Sequence, residues 1–259
     1  MLETPYNLRS SLRRSSSLVS EDEDISQING SYSFLVGRDW LSNPFGHTIT
    51  VLAKLSSQQR YWEADAPADT PGIANYTALG LGLEYDDRNE EKYRRYERFF
   101  AIEYNRGCNE PGSDIDAAHF ALDARFYQRL NDSDNLNSRF PLSLASEDVF
   151  NRSNYSFGGA YTLRGIDSGE INGNALWQTN IEYLEGLASK PNLRLALFTD
   201  IGNIFDRYNQ INARDWHQTV EFGLRWKIQS FVNTTLVIDC AYDPDSDFTK
   251  IYGGSSLIF

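Results

Sequence analysis

The sequence contains few residues of the kinds that build metal or redox centres. Its two cysteines, Cys108 and Cys240, lie far apart and lack CxxC spacing, so neither a disulfide framework nor a zinc ribbon is indicated. Its three histidines, His47, His119 and His217, have no metal-ligand spacing to one another or to a cysteine. We therefore expect no metal and no cofactor.

Long apolar runs and an excess of positive charge are also missing. No segment approaches the roughly 18 consecutive apolar residues of a membrane helix, and the mean hydropathy is −0.50. The 36 acidic residues outnumber the 24 basic ones, and the resulting net charge of −12 disfavours nucleic acid as a partner. The first 25 residues lack the continuous apolar core of a secretory signal peptide.

Local catalytic motifs are absent too. The sequence has no GxSxG, HExxH, GxGxxG or Walker-type loop, and its acidic stretches "SEDED" and "DDRNEE" lack the spacing of a calcium-binding loop. We therefore expect no enzymatic activity, although a site dispersed along the chain stays open as an alternative.

What the sequence does contain is a period of two residues. In "LRLALFTDIGNIF", Leu195 and Leu197 fall on one face of an extended strand, and Arg194 and Asp200 fall on the other. The same alternation occurs in "TALGLGLEYDD", "HFALDARFYQRL", "ALWQTNIEYLEG", "TVEFGLRWKI" and "TLVIDCAYD". About 10–12 long strands result, as in a transmembrane barrel.

The alternation predicts an all-β fold but does not tell inside from outside. A soluble sandwich or a lipocalin-like barrel would turn the apolar face inward. Three features favour an antiparallel transmembrane β-barrel: the strands are long, large aromatics lie near their ends, and the chain ends on an aromatic residue. Aromatic residues make up 14% of the chain, which suits the girdles at the two membrane interfaces.

Two stretches and the last residue resemble a known superfamily. "FGGAYTLRGIDSGEINGNALWQTNIEY" has a Leu-Arg-Gly tip on a long loop, "FTDIG" has the form Phe-x-Asp-x-Gly, and Phe259 closes a strand pattern. Together they resemble the outer-membrane assembly and translocation barrels, which include BamA-type and TamA-type insertases and two-partner secretion transporters. In that superfamily an aromatic residue more often follows the Arg-Gly, where this chain has Ile166.

The resemblance implies an outer-membrane location, in bacteria or in the equivalent organelle membrane. The fold of that superfamily has sixteen strands, so we expect a C-terminal portion of such a barrel, the product of a split gene, or a reduced barrel. The resemblance places the barrel at residues 26–259, with a long in-folding loop at 131–171. Residues 1–25 are either an N-terminal tail or a poorly patterned edge strand. Phe259 would be the C-terminal signal for barrel insertion. Strand parity then puts the connector 61–75 at the periplasmic end, a poor fit for its length.

The strand alternation gives the loop arginine a partner. Asp200 lies on the polar face, which faces the lumen of a membrane barrel, and a guanidinium can pair bidentately with a carboxylate there. We therefore predict a latch in which Arg164 pairs with Asp200, with Glu182 as a secondary partner, and Gly165 and Gly202 belong to the two motifs. The alternative is an exposed arginine and an unrelated aspartate.

The resemblance implies a barrel that inserts or exports proteins across the outer membrane. Its partners would be the lipid bilayer, unfolded or partly folded protein substrates, and periplasmic peptide-binding domains or lipoproteins. A weak seam beside Gly253 and Gly254 would then template an incoming strand. A passive porin-like channel, or a membrane anchor for a surface domain encoded elsewhere, is the alternative function.

Overall fold

The computed structural model describes residues 8–22, 25–42, 48–62, 73–91, 94–107, 112–148, 154–159, 162–167, 169–187, 190–228 and 234–255. Cys108, His47 and Phe259, which the sequence singled out, lie outside these ranges. The described residues form fifteen strands: β1 Leu8–Asp22, β2 Ile25–Ser42, β3 Thr48–Trp62, β4 Ile73–Asp86, β5 Asn89–Glu91, β6 Arg94–Gly107, β7 Ala118–Arg129, β8 Asn135–Ala145, β9 Tyr155–Phe157, β10 Ile171–Gly173, β11 Ala175–Leu187, β12 Lys190–Phe205, β13 His217–Ile228, β14 Thr234–Asp243 and β15 Phe248–Gly254.

One antiparallel sheet contains nearly all of these strands. Its order is β1-β2-β3-β4-β6-β7-β8-β11-β12-β13-β14-β15, β5 pairs with β6, and β9 and β10 form a separate hairpin. Strand β1 is at one edge and β15 at the other, and no ladder joins them among the described residues. In the same ranges the only helical element is a single 3-10 turn at Tyr208–Gln210, and no helix is long and apolar enough to cross a membrane.

The two faces of the sheet differ sharply in polarity. On β12, Leu195 and Leu197 are exposed while Arg194 and Asp200 are buried, as the period of two predicts. Exposed large apolar side chains follow the same face across the sheet, namely Val51, Leu55, Leu79, Leu81, Leu83, Ile102, Tyr104, Phe126, Phe140, Ile181, Leu195, Leu197, Val220, Phe222, Trp226, Leu236, Ile238, Tyr242 and Ile251. An apolar outer face and a buried polar face are the reverse of a soluble sandwich and match a barrel wall in lipid.

One strand lies where the sequence predicted a loop. β8 spans Asn135–Ala145, so the predicted loop 131–171 is replaced by a short turn, a strand and a connection at residues 146–174. Leu136, Phe140 and Leu142 do alternate here, but the Asn- and Asp-rich start and Pro141 resemble a loop. Proline has no N–H to donate, and the β8–β11 ladder is interrupted beside it, between the pairs Trp177↔Leu142 and Asn180↔Arg139.

Because β8 is a strand, each connection upstream of it lies at the opposite end of the sheet from the one that the sequence predicted. With β8 included, β3 ends and β4 begins at the same end of the sheet as the long connection 146–174. The expected placement of the connector 61–75 at the opposite end was therefore wrong, because one strand was missing from the count. At the N-terminus, β1 pairs with β2 along most of its length, so residues 8–22 form an edge strand.

Candidate functional site

The described residues of the connection 146–174 lie against the polar face of the sheet and have an apolar core of their own. Phe157, Leu163 and Ile166 pack against Leu176 of β11 and Ile204 of β12. Phe157 and Leu163 are completely buried. This packing holds Arg164, which directly follows Leu163, with its side chain against the wall.

Arg164 pairs bidentately with Asp200 of β12. Its Nε is 2.8 Å from Asp200 Oδ2 and its Nη2 is 2.9 Å from Oδ1. Its Nη1 donates to Asp239 Oδ2 at 3.2 Å, and Glu221 Oε2 lies 2.8 Å from Nε. The guanidinium carbon is 3.7 Å from the centre of the Phe198 ring, a distance suited to a cation–π contact. Only 3% of Arg164 is exposed.

A second arginine, Arg225 of β13, completes the cluster from within the wall. Its Nη2 donates to Glu182 Oε1 at 2.8 Å, and its Nη1 donates to Asp239. Glu182, expected to be a secondary partner of Arg164, thus contacts Arg225 in the structure. The two arginines share Asp239 as a partner and both lie near the Phe198 ring, so the loop arginine and the wall arginine belong to one cluster.

We call Asp200, Glu182, Glu221 and Asp239 the carboxylate cluster. Each of its side chains is at most 6% exposed, and two guanidinium groups face its four carboxyl groups. Neutral side chains supply further donors, from Asn180 to Asp200, from Thr219 to Glu221 and from Asn137 to Glu182. Buried carboxylates need such partners because isolated charges are costly away from water.

Two glycines allow the loop to approach the wall closely. Gly165 has a φ of +95°, and a Cβ there would lie 3.0 Å from Thr219 Cγ2. Its N–H donates to Tyr252 Oη of β15 at 3.0 Å. A Cβ on Gly202 would lie 2.6 Å from the Trp177 carbonyl oxygen and 3.1 Å from the ring of Phe157. Both positions therefore exclude larger residues on steric grounds.

Three residues of this site were missed at the level of sequence. Glu221, Arg225 and Asp239 all alternate with apolar neighbours, and that signal places them on the polar face. Their height along the barrel wall depends on strand register, such as Asp200↔Thr219 and Gly223↔Asp239. Alternation does not specify register, because that depends on the turns. Among the described residues, no group of His, Cys, Asp and Glu side chains is arranged to hold a metal ion.

An apolar outer face, a polar inner face and a loop folded onto the inner face are the features of a transmembrane β-barrel wall of antiparallel strands. Residues 6–230 match the Omp85 superfamily domain, and the chain belongs to that superfamily. It is an outer-membrane protein, as the sequence resemblance predicted.

Two solved structures have a similar fold. BamA from Haemophilus ducreyi lacking POTRA domains 1-3 is 13% identical with a TM-score of 0.72, and the alignment covers 97% of this chain and 59% of that one. CdiB from Acinetobacter baumannii is 18% identical with a TM-score of 0.65, and the alignment covers 96% of this chain and 46% of that one. This chain thus spans about half the length of either structure. No curated protein matches it.

Proposed function

We propose that this chain inserts or exports proteins at the outer membrane, with β15 as the strand at which a substrate segment first pairs. The observation that carries the proposal is the position of β15. It pairs with β14 alone among the described residues, and the loop that carries Arg164 holds it from the polar side. An edge strand offers unpaired backbone groups to an extended segment of another protein.

The composition and contacts of β15 make it a weak edge. It has seven residues, against 10 to 16 in β11–β14. A Cβ on Gly253 or Gly254 would meet no atom within 4 Å, so these residues contribute no side-chain packing. Among the described residues, Tyr252 contacts Gly165 and Lys250 contacts Asp167, and both of these inward contacts involve the loop. Loop position would therefore control how firmly the edge is held.

The partners in this proposal are unfolded or partly folded outer-membrane proteins, which supply the incoming strand, and the lipid bilayer. Periplasmic peptide-binding domains or lipoproteins would deliver the substrate. No catalytic step is needed, because the free energy of strand pairing and of burying apolar surface in lipid drives the process.

Reconstitution into liposomes tests the proposal. The purified chain should accelerate the folding of an unfolded barrel substrate added from outside, measured by its protection from protease. A chain with Thr249 and Ile251 replaced by proline should lose the acceleration, because proline removes the backbone donors of the edge. The same two replacements at Thr235 and Val237 of β14 are the control for general damage to a strand.

The alternative, a passive channel, predicts a different result from the same liposomes. Open ionic conductance of porin size without any effect on substrate folding would overturn the proposal. The loop packed on the polar face argues against a wide channel, since Phe157, Leu163 and Arg164 occupy space beside the wall.

A further inference from the structure

Two carboxylate oxygens compete for one hydrogen in the carboxylate cluster. Asp200 Oδ2 and Glu221 Oε2 each lie 2.8 Å from Nε of Arg164. An arginine Nε carries a single hydrogen. That hydrogen is directed at Asp200, with which Arg164 forms the bidentate pair. Glu221 is thus close to the guanidinium but receives no hydrogen bond from it.

The remaining environment of Glu221 leaves the same oxygen without a donor. Glu221 is 1% exposed, and its Oε1 accepts a hydrogen bond from Thr219 Oγ1 at 2.7 Å. Its Oε2 is buried and has no hydrogen-bond partner among the described residues. A buried carboxylate oxygen without a donor is strongly unfavourable, whereas a protonated carboxyl becomes a donor itself.

The charge balance favours the same state. Four ionised carboxylates against the guanidinium groups of Arg164 and Arg225 would leave an excess of two negative charges in a buried site. Like charges that share a site hold a proton between them, because both cannot ionise at low cost. One proton on the cluster halves this excess.

We propose that Glu221 is protonated on Oε2 at neutral pH and donates a hydrogen bond to Asp200, so that a proton taken from solvent is part of the site that binds Arg164. Glu221 is then a positioning residue: it holds the Asp200 carboxylate in the orientation that the loop arginine requires. The proposal does not depend on whether the barrel inserts or exports proteins.

The groups around Glu221 determine how the site responds to pH. Arg164 faces Glu221 from the loop, and Asp200 faces it from β12. Arg225 lies on the same strand as Glu221 and contacts Asp239 and Glu182. Asp243 of β14 lies beyond Gly165. Alkaline pH would remove the proton of Glu221, whereas an arginine guanidinium keeps its charge. The excess negative charge of the buried site then rises from one to two, and the loop is released.

Trypsin reports loop release directly, because it cleaves after arginine and Arg164 is buried in the docked state. At pH 7 the wild-type chain should resist cleavage between Arg164 and Gly165, measured by mass spectrometry of the new terminus. Glu221→Gln should resist equally, because the amide replaces the protonated carboxyl as a donor. Asp200→Asn should be cleaved at least tenfold faster. At alkaline pH the wild type should become sensitive and Glu221→Gln should not.

Infrared spectroscopy detects the proton itself. The wild type at pH 7 should show a protonated carboxylic acid band that is absent from Glu221→Gln and still present in the control Asp123→Asn, whose carboxyl lies between two arginines. Absence of a Glu221-dependent band overturns the proposal. So does cleavage of Glu221→Gln as fast as Asp200→Asn. Neither readout involves assembly activity, so failure here is distinct from failure of the proposed function.

Discussion

Two aspartates on the polar face are each contacted by arginine, but in very different surroundings. Asp123 of β7 contacts Arg125 on its own strand and Arg139 on β8, at 2.5 and 2.9 Å, and all three side chains are about 20% exposed. Asp200 of β12 has an exposure of 0%, and its arginine comes from the loop. The ion pairs are chemically alike, so the difference in their exposure comes from the loop, which buries Asp200 and not Asp123.

The comparison shows what the loop adds. An arginine from a neighbouring strand is positioned by the sheet, and its pair is partly screened by water. Arg164 is positioned only when the loop has packed, and the loop excludes the water that would screen it. Docking of the loop and formation of the ion pairs are therefore one cooperative event, whereas the Asp123 group forms with the sheet itself.

The largest effect should come from reversing the charge of the loop arginine. Arg164→Asp places a fifth carboxyl group beside the carboxylate cluster, and we expect the loop not to dock and the folded species to be lost in heat-modifiable electrophoresis. Asp200→Arg in the same chain should restore part of it, since residues in one ion-pair network couple by about 0.5–3 kcal/mol. Normal folding of both single variants would contradict a latch.

Replacing one arginine in each group by methionine separates the effect of burial beneath the loop from the effect of the ion pair itself. Arg164→Met should reduce the free energy of unfolding by about 3–5 kcal/mol, because it leaves the buried Asp200 carboxylate without its arginine. The matched variant Arg139→Met should cost at most about 1 kcal/mol, as expected of a partly exposed pair. Thermal unfolding of the refolded chains in detergent measures both. Equal reductions in the free energy of unfolding would mean that burial by the loop does not strengthen the ion pair.

The sequence predicted the face of the sheet on which each side chain lies better than it predicted which residues of adjacent strands lie beside one another. Alternation correctly placed Asp200 and Arg194 on the polar face, because side-chain direction depends on local backbone geometry alone. It did not place Arg225 or Asp239 beside the loop arginine, because their heights depend on the register of β13 and β14. β8 was missed because Pro141 and the Asn-rich stretch before it have the composition of a loop.

A smaller effect should follow from adding one methyl group at the loop tip. Gly165→Ala combines a positive φ of +95° with a contact at 3.0 Å to Thr219 Cγ2, and both oppose docking. Gly112→Ala has a similar φ of +108° in open space, so it measures the conformational cost without the clash. We expect trypsin cleavage after Arg164 to rise several-fold in the first variant and to stay unchanged in the second.

The smallest effect concerns an acid that is held without any arginine. Asp134 lies in the turn between β7 and β8 and accepts hydrogen bonds from Asn131 Nδ2 at 2.6 Å and Ser133 Oγ at 2.8 Å. Hydrogen bonds from Asn131 and Ser133 lower the pKa of Asp134 to about 2. An unfolded aspartate has a pKa of about 3.9.

Because the pKa of Asp134 is lower in the folded chain, its ionised form stabilises the turn above about pH 4. That contribution falls as the pH drops towards 2 and the carboxylate takes up a proton. Asp134→Asn should remove this part of the acid dependence, measured as the unfolding temperature between pH 2 and 5, and leave the stability at pH 7 slightly reduced. An unchanged acid profile would show that neutral donors, unlike the arginines of the two compared groups, do not hold an aspartate strongly enough to matter.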